Sequence, residues 1–142
     1  MKIEMNGTLQ YLRNNLPQSG RQLFLLDGSG ALLSAFFLGL VLRQFEPVFG
    51  MPQDTLTTLA LMACAFAGYS WFCYFLVKDK WPTFLRVIMV VNILYGCLSL
   101  LLVYRHFAEL TKLGLAYFVL ELIVLAGVVC VEYYAIRNTV VK

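Results

Sequence analysis

Three carboxylates, Asp27, Glu121 and Glu132, sit inside runs of otherwise apolar residues. A carboxyl surrounded by hydrocarbon costs a few kcal/mol unless a partner, a proton or water compensates it. Glu121 is the deepest, nine residues past Lys112, while Asp27 and Glu132 lie nearer the ends of their runs. Glu121 and Glu132 are 11 residues apart, close to three whole helical turns, so both project from one face, which Gly114 also shares. Asn92, Tyr95 and Ser99 form one stripe on the preceding run, and Asn92 is about as deep as Glu121. These spacings predict a midplane hydrogen bond from Asn92 or Tyr95 to Glu121, with Asp27 and Glu132 closing a second polar layer. Such a stack suits a proton-linked transporter, a polar pocket for an amphiphile, or acid–base chemistry on a lipid or isoprenoid.

Each of these residues also has a plainer reading. Interhelical hydrogen bonds hold membrane helices together by about 0.6–2 kcal/mol each, and Asn92, Tyr95 and Ser99 read first as such glue. Glu121 reads first as functional, because a carboxyl at that depth is costly glue. Glu132 reads equally as an interfacial residue in reach of headgroup water. Asp27-Gly28-Ser29-Gly30 is a turn signal. If the helix starts there, Asp27 caps it and the glycine amides face a phosphate, helped by Arg21, Lys78, Lys80 and Arg86. The continuous helix is preferred, since Ala31–Leu42 alone is short for a span.

Four such runs organise the chain: residues 22–42, 55–77, 83–104 and 113–134. Each is about the 20 residues a bilayer core requires. The chain has 142 residues, 61% hydrophobic and 13% charged, with a mean hydropathy of +0.76. Soluble domains carry about 25% charge, so this composition excludes a water-exposed globule, a disordered segment and an ordinary nucleic-acid reader. The fold class is therefore all-α, an integral membrane four-helix bundle with short loops and a single domain. Strands of a membrane barrel would alternate polar and apolar residues, and these runs do not.

Orientation follows the basic residues. Eight Lys and Arg fall on the side of the N-terminus, the middle loop and the C-terminus, against Arg43, Arg105 and Lys112 opposite. Both termini, including the tail 1–21, are expected in the cytoplasm, with membrane lipids as partners and no nucleic acid. The tail does not read as a cleaved signal, and residues 5–20 suit a short interfacial helix interrupted at Pro17, Ser19 and Gly20. Ala31, Ala35 and Gly39, and Ala60, Cys64 and Gly68, repeat every fourth residue, the pattern of close helix contacts within a bundle or between subunits. The four cysteines form no C-x-x-C, and His106 has only Glu109 nearby, so no metal and no cofactor is expected. Leu40–Phe45 and Leu102–Phe107 share four residues of six, a faint sign of two related hairpins.

The stretch LLDGSGALLSAFFLGLVL, then FGMP, Asn92-x-x-Tyr95, LTKLG and Glu121, resembles an uncharacterised group of short four-span bacterial inner-membrane proteins. The resemblance implies a bacterial cytoplasmic membrane and carries no activity. Three functions remain in view: binding or transport of a proton, cation or amphiphile, working as a homo-oligomer; an accessory or assembly subunit of a larger membrane complex with no site of its own; and a membrane-embedded lipid enzyme.

Overall fold

The computed structural model describes residues 21–140. The tail 1–20, and with it the interfacial helix expected over residues 5–20, lies outside them. Helix α1 runs over Arg21–Phe36 and continues without a break as a π-helical stretch, Phe37–Leu42. A one-turn helix α2 spans Glu46–Phe49, followed by α3 (Gln53–Leu76), α4 (Trp81–Arg105) and α5 (Lys112–Val140). Four of these helices, all but α2, are long and apolar enough to cross a membrane. Among the described residues there is no strand, and the all-α four-helix arrangement expected from composition is the one observed.

Prolines and one glycine set the helix limits. Pro52 precedes α3 with extended backbone, and Pro82 occupies the first turn of α4, where a missing N–H costs nothing. Gly50 ends α2 at φ 81°, and a Cβ there would overlap the Glu109 carbonyl oxygen, so both backbone and space require glycine. Thr57 and Thr58 turn their hydroxyls back onto the carbonyls of Gln53 and Asp54, each at 2.8 Å, which satisfies polar groups within their own helix.

Three boundaries differ from expectation by two residues or more, and the first is α4, which begins at Trp81 rather than residue 83 with Pro82 in its first turn. α3 begins at Gln53 rather than residue 55, directly after Pro52. α5 continues to Val140, six residues beyond the expected end at 134. Ala135 and Ile136 are buried there, and the Thr139 hydroxyl bonds the Ala135 carbonyl at 2.9 Å, so packing carries the helix on.

The helices pair as two hairpins. α1 and α3 pack along most of their length, α4 and α5 form the second pair, and α3 meets α4 over a short stretch. At one end α2 docks onto the start of α5: Thr111 N donates to Phe49 O at 3.1 Å, and Thr111 Oγ1 donates to Val48 O at 2.6 Å. The same hydroxyl accepts from Gly114 N at 3.1 Å and caps α5.

Within the single chain, the buried face of α3 shares only Ala60 with the expected stripe. Ala60, Ala63, Ala67 and Ser70 face inward, while Cys64 and Gly68 are exposed. The three alanines and Ser70 follow the three-and-four spacing of one helical face, whereas steps of four drift off it. On α1 the expected stripe does make close contact, since a Cβ on Gly39 would lie 3.2 Å from that of Ala60.

Two apolar clusters fill the interior. One holds Leu38, Leu42, Leu56, Leu59 and Phe118. The other, toward the Arg21 end, holds Leu23, Phe24, Cys73, Leu85, Ile88 and Ile136. Lipid is as apolar as these side chains, so close packing holds the clusters together more than exclusion from the solvent does.

Candidate functional site

Between the two clusters lies a layer made of one polar side chain from each long helix: Asp27 from α1, Ser70 from α3, Asn92 from α4 and Glu132 from α5. All four are at least nine-tenths buried. Asp27 and Ser70 are each six residues from the near end of their helices, about 9 Å at 1.5 Å per residue.

Asp27 accepts two hydrogen bonds, from Ser70 Oγ onto Oδ2 and from Asn92 Nδ2 onto Oδ1 at 2.6 Å. Asn92 Nδ2 also donates to Glu132 Oε1 at a longer 3.5 Å. One carboxamide thus bridges two carboxylates from helices of different hairpins. Glu132 Oε2 has no partner. Among the described residues the only ion pair is His106 with Glu109, at 3.6 Å, so no basic side chain balances Asp27 or Glu132.

Local sequence explains how Asp27 reaches this position. α1 is helical through Asp27-Gly28-Ser29-Gly30, so Asp27 is not a cap, and these amides are not free for an anion. Gly28 instead lets α1 approach α3, because a Cβ there would lie 3.0 Å from the Trp71 ring and 3.3 Å from Ser70 Cβ. Gly30 has nothing within 4 Å.

Glu121 belongs to a second group. Tyr95 donates its hydroxyl proton to Glu121 Oε1 at 3.3 Å. Ser34 of α1 and Tyr117 lie beside the same carboxyl, and Phe66 meets the Tyr95 ring edge-on with centroids 5.7 Å apart. Glu121 Oε2 is buried without a partner. Ser99 is buried one turn beyond Tyr95, with an unpartnered hydroxyl.

The structure therefore divides the expected midplane cluster in two. Of the two donors offered to Glu121, Tyr95 reaches it and Asn92 does not. Asn92 and Tyr95 are three residues apart and about 60° apart around the helix, enough to face different partners. Asp27 and Glu132 do share a layer, and Asn92 joins them there. Glu132 is 1% exposed and packed inside the bundle, and α5 extends past it through the buried Ala135 and Ile136.

Ser70, Ser34 and Tyr117 were missed from the sequence. For Ser70 the signal was present, since it stands three residues after Ala67 on the Ala60–Ala63–Ala67 face. At the rim, Lys78, Lys80 and Arg86 are exposed at one end of the bundle. Arg21, at the same end, donates Nε to the Tyr74 carbonyl at 3.3 Å and lies 4.9 Å from the centre of that ring. Among the described residues no three His, Cys, Asp or Glu side chains gather in a metal-binding group. No family model, curated protein or solved structure matches the chain.

Proposed function

We propose that the chain is a small binding or transport protein of the bacterial cytoplasmic membrane, with both termini cytoplasmic and the Asp27–Asn92–Glu132 layer as its centre. The observation that carries this reading is the bridge itself: two buried carboxylates share one carboxamide and have no cationic partner among the described residues. Burying two uncompensated negative charges costs several kcal/mol each. A proton or a cation arriving in the layer removes that cost, so the layer has a built-in affinity for positive charge. Each carboxylate belongs to a different hairpin, so binding also changes how the hairpins hold each other, the coupling a transporter needs.

In proteoliposomes loaded with a pH-sensitive dye, the wild-type chain is expected to pass protons, alone or exchanged for potassium or an organic cation. Glu132→Gln, which keeps the shape and removes the charge, is expected to lose at least about nine-tenths of that flux. Wild-type liposomes no leakier than empty ones for every cation tested, together with no saturable cation binding by the chain in detergent, would sink the proposal.

A second reading, an accessory subunit of a larger membrane complex, is favoured by α5. Only 11% of its most apolar stretch is buried, so most of the helix is free to meet another protein. Native mass spectrometry in mild detergent separates the two. A larger partner of defined stoichiometry supports this reading, and a monodisperse chain carrying only bound lipid counts against it.

A further inference from the structure

Among the described residues, three buried side-chain oxygens have no hydrogen-bond partner. Glu132 Oε2 belongs to the polar layer, while Glu121 Oε2 and Ser99 Oγ belong to the group around Tyr95. An unpaired buried oxygen is costly, and a charged one more so. Tyr95 of α4, Tyr117 of its own helix and Ser34 of α1 lie beside the Glu121 carboxyl, and none of them is a cation. From α3, Phe66 packs against the Tyr95 ring and adds no charge. Ionised, Glu121 is therefore uncompensated; protonated on Oε2, it has no acceptor for its proton. Neither form is satisfied, which suits a group that takes up a proton and gives it back.

The group also stands where the polar layer does not reach. Ser70 and Glu132 are 17 and 20 residues from the far ends of α3 and α5, about 25–30 Å at 1.5 Å per residue. Leu38, Leu42, Leu56, Leu59 and Phe118 fill much of that interior. Ser99 is six residues and Glu121 nine from the helix ends at that far face, about 9 and 14 Å. Asn92 and Tyr95 lie within one turn of each other on α4, so the two polar groups adjoin there.

Hydroxyls connect Glu121 toward the Arg105 end. The Ser99 hydroxyl is within reach of that of Tyr95, which donates to Glu121 Oε1 at 3.3 Å. A hydroxyl both accepts and donates. Ser99 can accept a proton from the Arg105 side and pass its own to Tyr95, which passes its own to Glu121. Each hydroxyl ends as it began, and the carboxylate becomes a carboxylic acid. A metal ion asks for about six oxygens around it, whereas only Tyr95 stands within hydrogen-bond distance of Glu121. We infer that Glu121, reached through Ser99 and Tyr95, is a second proton-binding site, loaded from the face opposite the one nearest the polar layer. The inference rests on the reading of that layer as a site for positive charge, and names the proton as the ion it handles.

The test pairs proton flux in dye-loaded proteoliposomes with labelling by dicyclohexylcarbodiimide. This apolar reagent adds a protonated carboxyl across its C=N bond, and mass spectrometry of the fragments locates the adduct. Expected is an adduct on Glu121, and a loss of about tenfold or more in flux for Glu121→Gln. Tyr95→Phe keeps the ring against Phe66 and removes only the hydroxyl. It is expected to lower flux about fivefold or more while Glu121 still takes the label, a pairing that a misfolded bundle would not give. No adduct on Glu121, or undiminished flux in Glu121→Gln, overturns the inference, and leaves the polar-layer reading intact if Glu132→Gln still stops the flux. Wild-type chains that pass no protons also overturn it, and the layer reading falls with it only if the chain binds no cation either.

Discussion

Replacing Asn92 by Leu is expected to destabilise the bundle by about 2–4 kcal/mol, the cost of leaving buried charged acceptors without their donor. Leucine repeats the branched skeleton of asparagine and suits a membrane helix, but its methyl groups are bulkier than the carboxamide and add a packing cost of their own. The part that belongs to Asp27 and Glu132, which exchange a shared donor for a hydrocarbon wall, is the part that depends on their charge. The measurement is unfolding of the purified chain by SDS titration in mixed micelles, followed by far-UV circular dichroism. Glu132→Gln in the same background removes one charge and should restore part of the loss, with a coupling of about 1 kcal/mol or more in the double-mutant cycle. Additive effects, or a loss under about 0.5 kcal/mol for Asn92→Leu, would show that the carboxamide is ordinary glue.

The two glycines beside Asp27 are expected to behave in opposite ways. Gly28→Leu adds a side chain where the Trp71 ring stands 3.0 Å from the added Cβ. It should push α1 from α3, costing about 1–3 kcal/mol as overpacking and separating Asp27 from Ser70. Gly30→Ala meets open space and should stabilise the helix by up to about 1 kcal/mol, the helix preference of alanine over glycine. Trp71 fluorescence during the same titration reports both. Gly28→Leu should shift the folded-state emission, because the ring beside it must move, and Gly30→Ala should not. Equal effects at the two positions would mean that α1 does not approach α3 through Gly28.

Much of this architecture was legible before folding. Long apolar runs in a chain with 13% charge have only one economical solvent, and helices alone satisfy their backbone within a segment. Asp27, Glu121 and Glu132 announced themselves for the same reason, because each is expensive where it stands. The pairing was harder to read. Depth along a helix follows from counting residues, but the partner a side chain meets depends on rotation and crossing, which counting does not supply. Asn92 and Glu121 matched in depth and face different neighbours. Spacing by four suggested Cys64 and Gly68 as the contact face of α3, and the buried Ala63 and Ala67 lie beside it. The π-helical stretch at Phe37–Leu42 left no mark in the sequence, since it changes the hydrogen-bond register without a demand for particular residues.

The central claim is that Asp27 and Glu132 form one centre that responds to positive charge. Infrared difference spectroscopy of the chain in liposomes, recorded on a pH jump and on addition of potassium, observes carboxyl groups directly. Expected is a carboxyl band, distinct from those of the exposed acids, that responds to either stimulus, is lost in Asp27→Asn, and is altered in Glu132→Gln through their shared Asn92. Difference spectra that neither substitution changes would contradict it.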